Sequence, residues 1–249
     1  TKKFLGIQKK IIFNHGRLHS NKNIHKMIES FGNSSLKNDY CLVILGAISN
    51  PECVAYLSHC NKIIEKNNLK QHVKIVRGTA NQVVINSLLS LADVYFLPSP
   101  SEGLPLVLIE AMSAGIPWIS TPVGGVPAVF GRHDNGKILS SVDFNSKDLE
   151  EAVSEIEGKN SRKDWENHYT IESACNQYTD LLNIDEDFSK TVAFLKQHKI
   201  SFGNQVYNEP EGIKNYLSSC LQFAGIVDEV YVINHRSSDN TLEVIESFE

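Results

Sequence analysis

The chain is short of the features that mark several protein classes. No apolar run approaches the ~20 residues that a membrane-spanning helix needs, and the opening Thr1-Lys2-Lys3-Phe4 is neither a signal peptide nor an initiator methionine. Basic charge is not in excess. The 24 Lys plus Arg residues stand against 29 Asp plus Glu, a formal net charge of -5, which argues against the basic face that a duplex nucleic acid partner requires. Any anion bound here must be gripped locally. The five cysteines, Cys41, Cys53, Cys60, Cys175 and Cys220, are odd in number and widely spread, with no C-x-x-C pair and no histidine at metal-ligand spacing. They read as reduced, mostly buried thiols of a cytoplasmic protein, with membrane association of a longer chain left open. There is no fixed-period repeat and no low-complexity tract.

What is present is the composition of a packed globular chain, 41% hydrophobic and 21% charged. Its 249 residues suit one large domain, or one domain and a piece of another. A start without methionine and a stop at Phe248-Glu249, inside an apparent helix, lead to the expectation of a fragment of a longer protein.

From residue 10 to about 140, short apolar runs alternate with longer segments of helical period. Strands are expected at Lys10 to His15, Cys41 to Leu45, Val73 to Val76, Val94 to Pro98 and Pro117 to Ser120, with helices beginning near Asn21, Pro51, Gln82 and Leu104. This alternation is that of an α/β fold with a doubly wound parallel sheet, in which ligands sit beyond the carboxyl ends of the strands. Helices at Asn145 to Gly158 and Ile171 to Leu182 are expected to close a domain of residues 1–183. An acidic junction and an amphipathic connector over 184–198 lead to a second, incomplete β-α-β piece over 199–249.

Three strand ends carry unusual residues. After the first strand, Gly16 permits close backbone approach, while Arg17 and Lys22 lie five positions apart ahead of a helix. They suit a diphosphate, and they equally suit two solvated cations. After the fourth strand, Glu102 and Glu110 stand eight positions apart, separated by apolar residues and Gly103. Gly103-Leu104-Pro105 is read as opening a helix whose free amides favour an anion. Glu110 is placed about two turns further, on an apolar segment where its carboxylate needs either ligand hydroxyls or a basic partner. After the fifth strand, Gly124-Gly125 reads alone only as a turn.

Taken together, Gly16-Arg17-Leu18 with Lys22, Glu102-Gly103-Leu104-Pro105 through Glu110, and Gly124-Gly125 resemble the C-terminal, Rossmann-like half of the family 4 glycosyltransferases of GT-B fold. The resemblance covers roughly residues 5 to 183. It implies a retaining transfer of a sugar from a nucleoside-diphosphate sugar to a glycan, lipid-linked or protein acceptor, with no metal in this module. Arg17 and Lys22 match the positions that contact the donor diphosphate, Glu102 the sugar and Glu110 the ribose. Gly16, Gly103, Leu104, Gly124 and Gly125 complete the implied substrate-binding set. His15 departs from the pattern, standing where a small apolar residue is usual, and Ala128 stands where many relatives carry Glu. The rival from another class is a noncatalytic nucleotide-sugar-binding or scaffold module.

The tail from Lys199 to Asn234 is a β-α-β unit with polar strand ends, which turns and caps also explain. It resembles the opening of the family 2 glycosyltransferases of GT-A fold. Glu209 and Asp239 match acidic positions around the nucleotide there, and Asn234 is taken as a third, although Asn234-His235-Arg236 replace the usual Asp-Asp-Gly. A divalent metal possible for a complete GT-A module has its implied site beyond residue 249.

Overall fold

A computed structural model of the chain describes residues 6–78, 81–182, 201–206, 210–221, 229–234 and 237–248. The connector expected over 184–198, Glu209, His235 and Arg236 lie outside the described residues. Two compact units divide between Ala174 and Cys175.

In the first unit a six-stranded parallel sheet is formed by β1 (Lys10–Arg17), β2 (Tyr40–Ala47), β3 (Val73–Gly78), β4 (Val94–Leu97), β5 (Trp118–Ser120) and β6 (Gly136–Ile138). Their spatial order is β3-β2-β1-β4-β5-β6. The chain winds outward from β1 in one direction, then crosses to β4 and winds outward in the other. The doubly wound class read from the alternation is therefore borne out, and β1 and β4 flank the point where the winding reverses.

Such a sheet must be covered on both faces, and its strands alternate accordingly. Ile12, Leu42, Ile44, Val94 and Phe96 enter one buried cluster with α1 (Ile24–Gly32), α2 (Pro51–Lys66) and α5 (Ser146–Ile156). Ile11, Phe13, Cys41, Val43, Leu45, Tyr95 and Leu97 enter another with α3 (Gln82–Leu89) and α4 (Leu106–Ser113). Helix starts follow local chemistry. Asn50 accepts from the Cys53 amide at 2.9 Å with Pro51 opening α2, and Asn145 and Asp148 form a reciprocal capping box on α5. Of the cysteines, Cys175 is exposed, while Cys41, Cys53, Cys60 and Cys220 are buried.

Several boundaries differ from the sequence reading. Residues Ser20–Lys22 form a single 3-10 turn, and α1 starts only at Ile24 because Asn23 takes a left-handed conformation with φ 53°. Likewise α4 starts at Leu106, so Gly103 and Leu104 precede the helix and Glu110 lies little more than one turn into it. β6 and the helix α6 (Arg162–His168) were not anticipated. The seventh helix, Ile171–Leu182, matches its expected span. In the second unit, Ser201–Val206 and Glu229–Asn234 pair as parallel strands, with helices at Pro210–Leu221 and Thr241–Glu246.

Trp118, fully buried on β5, packs over Gly136 of β6 so closely that a Cβ there would overlap its ring. Gly136→Ala is expected to cost about 1–3 kcal/mol through overpacking, read by urea unfolding; an unchanged midpoint and slope would disprove the contact. His133 is buried, with Nε2 2.8 Å from the Tyr169 hydroxyl and Asp164, Arg132 and His168 around it. Burial holds its imidazole below the ordinary value, against the opposing pull of Asp164. The unfolded chain therefore takes up this proton first as the pH falls, and stability at His133 is lost below the ordinary imidazole range near ~6.5. His133→Gln should show a flatter decline in unfolding free energy between pH ~7 and ~5, and a decline as steep as the parent's counts against this assignment.

Candidate active site

The carboxyl ends of β1 and β4 and the first turn of α4 enclose a cavity of about 290 Å³ at the winding reversal. Its lining includes Asn14, Gly16, Arg17, Lys22, Glu102 and Leu104. Asn14 is buried and donates through Nδ2 to the Phe96 carbonyl at 2.8 Å, so a polar side chain spans β1 and β4 beneath the cavity floor. Gly16 then takes a φ of 151°, a conformation disfavoured for other residues, and a Cβ there would meet open space. Backbone at this strand end is thus bare toward the cavity. Arg17 follows, exposed at the rim.

Lys22 and Glu102, eighty residues apart, meet across this space, with Nζ donating to Oε1 at 2.6 Å. Both are largely withdrawn from water, with side chains 26% and 15% exposed. The cation and the first carboxylate of the pair are therefore already partners before any ligand arrives.

Glu110 does not itself line the cavity. Its Oε2 lies 2.9 Å from Nε2 of His15, which does. The basic partner left open by the sequence reading is thus a histidine, and the residue singled out only as a departure from the family pattern is what ties Glu110 to the site. A His ending a buried apolar strand was the signal available.

Gly124 and Gly125 pack against the loop that carries Glu102. Gly124 has φ 52°, and a Cβ on it would overlap the carbonyl oxygens of Glu102 and Gly103. The Gly125 amide donates to the Gly103 carbonyl at 2.7 Å. The paired glycines thereby brace the loop that carries Glu102, with backbone against backbone.

In the second unit, Asn234 ends its strand in register with Val206. Asp239 lies just before the final helix, its Oδ1 accepting from the Thr241 amide at 3.0 Å and from the Thr241 hydroxyl at 2.5 Å. Among the described residues no three His, Cys, Asp or Glu side chains are grouped to hold a metal ion, and no helix is long and apolar enough to cross a membrane.

Comparison with known proteins agrees with this geometry. Over 70 residues the chain is 43% identical to a putative teichuronic acid biosynthesis glycosyltransferase, TuaC, of Bacillus subtilis, covering 28% of this chain and 18% of that protein. Over 137 residues it is 28% identical to an N-acetyl-alpha-D-glucosaminyl L-malate synthase of Bacillus anthracis, covering 54% of this chain and 34% of the other. The chain thus spans only a fifth to a third of the length of these relatives. Among solved structures, Alr3699/HepE of Anabaena in complex with UDP superposes with a TM-score of 0.62 at 17% identity, over 73% of this chain and 51% of that one. The C-terminal domain of a glycosyl transferase group 1 family protein from Francisella tularensis superposes with a TM-score of 0.57 at 20% identity, over 66% of this chain and 87% of that domain. These superpositions establish the fold as the Rossmann-like half of a GT-B architecture. The model of the family described as "Glycosyl transferases group 1" matches residues 2–170, a stretch that contains every residue lining the cavity, and the chain belongs to that family.

Proposed function

We propose that residues 1–183 form the donor-binding lobe of a retaining glycosyltransferase, which passes a sugar from a nucleoside diphosphate to an acceptor hydroxyl in glycan or polysaccharide synthesis. The observation that carries this reading is the convergence of Arg17, Lys22 and Glu102 on one cavity at the sheet's winding reversal. Arg17 and Lys22 supply positive charge where the diphosphate would sit, and that charge is most useful as the glycosidic bond breaks and the leaving group becomes more negative. Glu102 is placed to accept hydroxyls of the sugar, and Glu110 those of the ribose. The cations take the part that a metal ion plays in other sugar transferases. The complex of Alr3699/HepE with UDP supports uridine nucleotides as the first donors to try. The acceptor is a glycan, a lipid-linked sugar or a protein.

Residues 199–249 are read as the opening of a GT-A module, after a connector over 184–198, which makes the whole protein a bifunctional transferase. Its support is the parallel strand pair ending at Val206 and Asn234.

The Lys22–Glu102 ion pair makes the donor and its own protein compete for Lys22. In calorimetric titration of this chain with UDP, Lys22→Ala should weaken binding about tenfold and reduce its salt dependence. Glu102→Gln should leave UDP binding equal or a few-fold tighter, by releasing the cation, while weakening a UDP-sugar relative to UDP. Loss of UDP affinity in both variants would refute the competition. In the whole enzyme Arg17→Ala should lower turnover about 10²-fold; a raised donor Michaelis constant with turnover intact would show that Arg17 does not stabilise the leaving group.

A further inference from the structure

We propose that His15 is a positioning residue, which fixes the Glu110 carboxylate for the two ribose hydroxyls. This rests on the reading of Glu110 as the ribose-binding group.

The ring has little freedom. It lies nearly flat on Phe13, with centroids 5.5 Å apart and planes at 14°, and edge-on to Tyr95 at 5.5 Å and 71°. Tyr95, itself fully buried, donates its hydroxyl to the His15 carbonyl at 3.4 Å. The two aromatic neighbours therefore hold the ring, and the hydroxyl holds the backbone that bears it. The His15 side chain is only 7% exposed.

The proton's location follows from the two nitrogens. Nε2 is 2.9 Å from Glu110 Oε2, whereas Nδ1 is buried with no partner. A proton on Nδ1 would be a buried donor without an acceptor, and it would leave two lone pairs facing each other at Glu110. The Nε2–H tautomer avoids both costs and donates to the carboxylate. His15 accordingly donates through Nε2 to the Glu110 carboxylate.

Among the described residues His15 is the side chain bonded to Glu110. One N–H on Oε2 restricts rotation of the carboxyl group and leaves its remaining lone pairs available to a ligand. A diol meeting an oriented acceptor loses less freedom on binding than one meeting a rotating acceptor. The small apolar residue usual at this position cannot supply that orientation.

The test compares UDP with 2′,3′-dideoxyuridine diphosphate, titrated into this chain, Glu110→Gln, His15→Val and His15→Gln. The parent should prefer UDP. His15→Val should lose about tenfold of UDP affinity with little change for the dideoxy nucleotide, and His15→Gln, whose amide N–H can occupy the Nε2 position, should restore most of the preference. Nitrogen NMR of the parent should show a proton on Nε2 of His15, the nitrogen that faces Glu110. Equal loss of both nucleotides in His15→Val, an unchanged preference there, or a parent ring protonated at Nδ1 would overturn the proposal. If Glu110→Gln keeps the preference for UDP, the ribose assignment itself falls. If Glu110→Gln abolishes the preference and His15→Val preserves it, that assignment stands and only His15's role falls.

Discussion

Burying both faces of a parallel sheet leaves polar chemistry nowhere to go except the loops at its ends, and this constraint governs the first unit. Ile11, Ile12 and Phe13 are consumed by the two opposed cores. After Phe13 the strand turns polar, with Asn14, His15 and Arg17 in its carboxyl half. The reversal of winding between β1 and β4 then leaves a gap beyond these residues that no crossover helix fills, and the cavity occupies it.

Within that gap the two acids are held in different ways. Glu102 faces a cation, so a ligand must offer Lys22 something better than a carboxylate, which a diphosphate with its higher charge density does. Glu110 faces an imidazole held by Phe13 and Tyr95, and that contact fixes the acid without a lysine or arginine.

The parts of the fold legible in the sequence were those with strong local signals. Five strands were visible because each is a continuous apolar run with turn residues beyond it, and α2 and the α5 capping segment announced themselves through Pro51 and Asn145. β6 was missed because it has only three residues, with Lys137 at its centre, and exists by pairing with β5 rather than by its own pattern. The start of α4 was placed early although Pro105 biases Leu104 away from helical backbone, and the tertiary brace from Gly125 adds to this by holding the Gly103 carbonyl. The charges at strand ends were legible as candidates. Their pairing was not, since Lys22 meets Glu102, and His15 meets Glu110, across 80 and 95 residues. In the second unit the strand pair was foreseen, and Asp239, matched by resemblance to a nucleotide contact, bonds Thr241 two residues on.

The brace between Gly124 and the Glu102-Gly103 backbone has a consequence for how this cleft can vary. Because these contacts are made by main-chain atoms, they do not depend on which side chain stands at position 102. Substitution of Glu102 can therefore change what the cavity presents while the backbone brace stays in place. Substitution at position 124 has the opposite character, since any side chain there must displace the Glu102-Gly103 backbone itself.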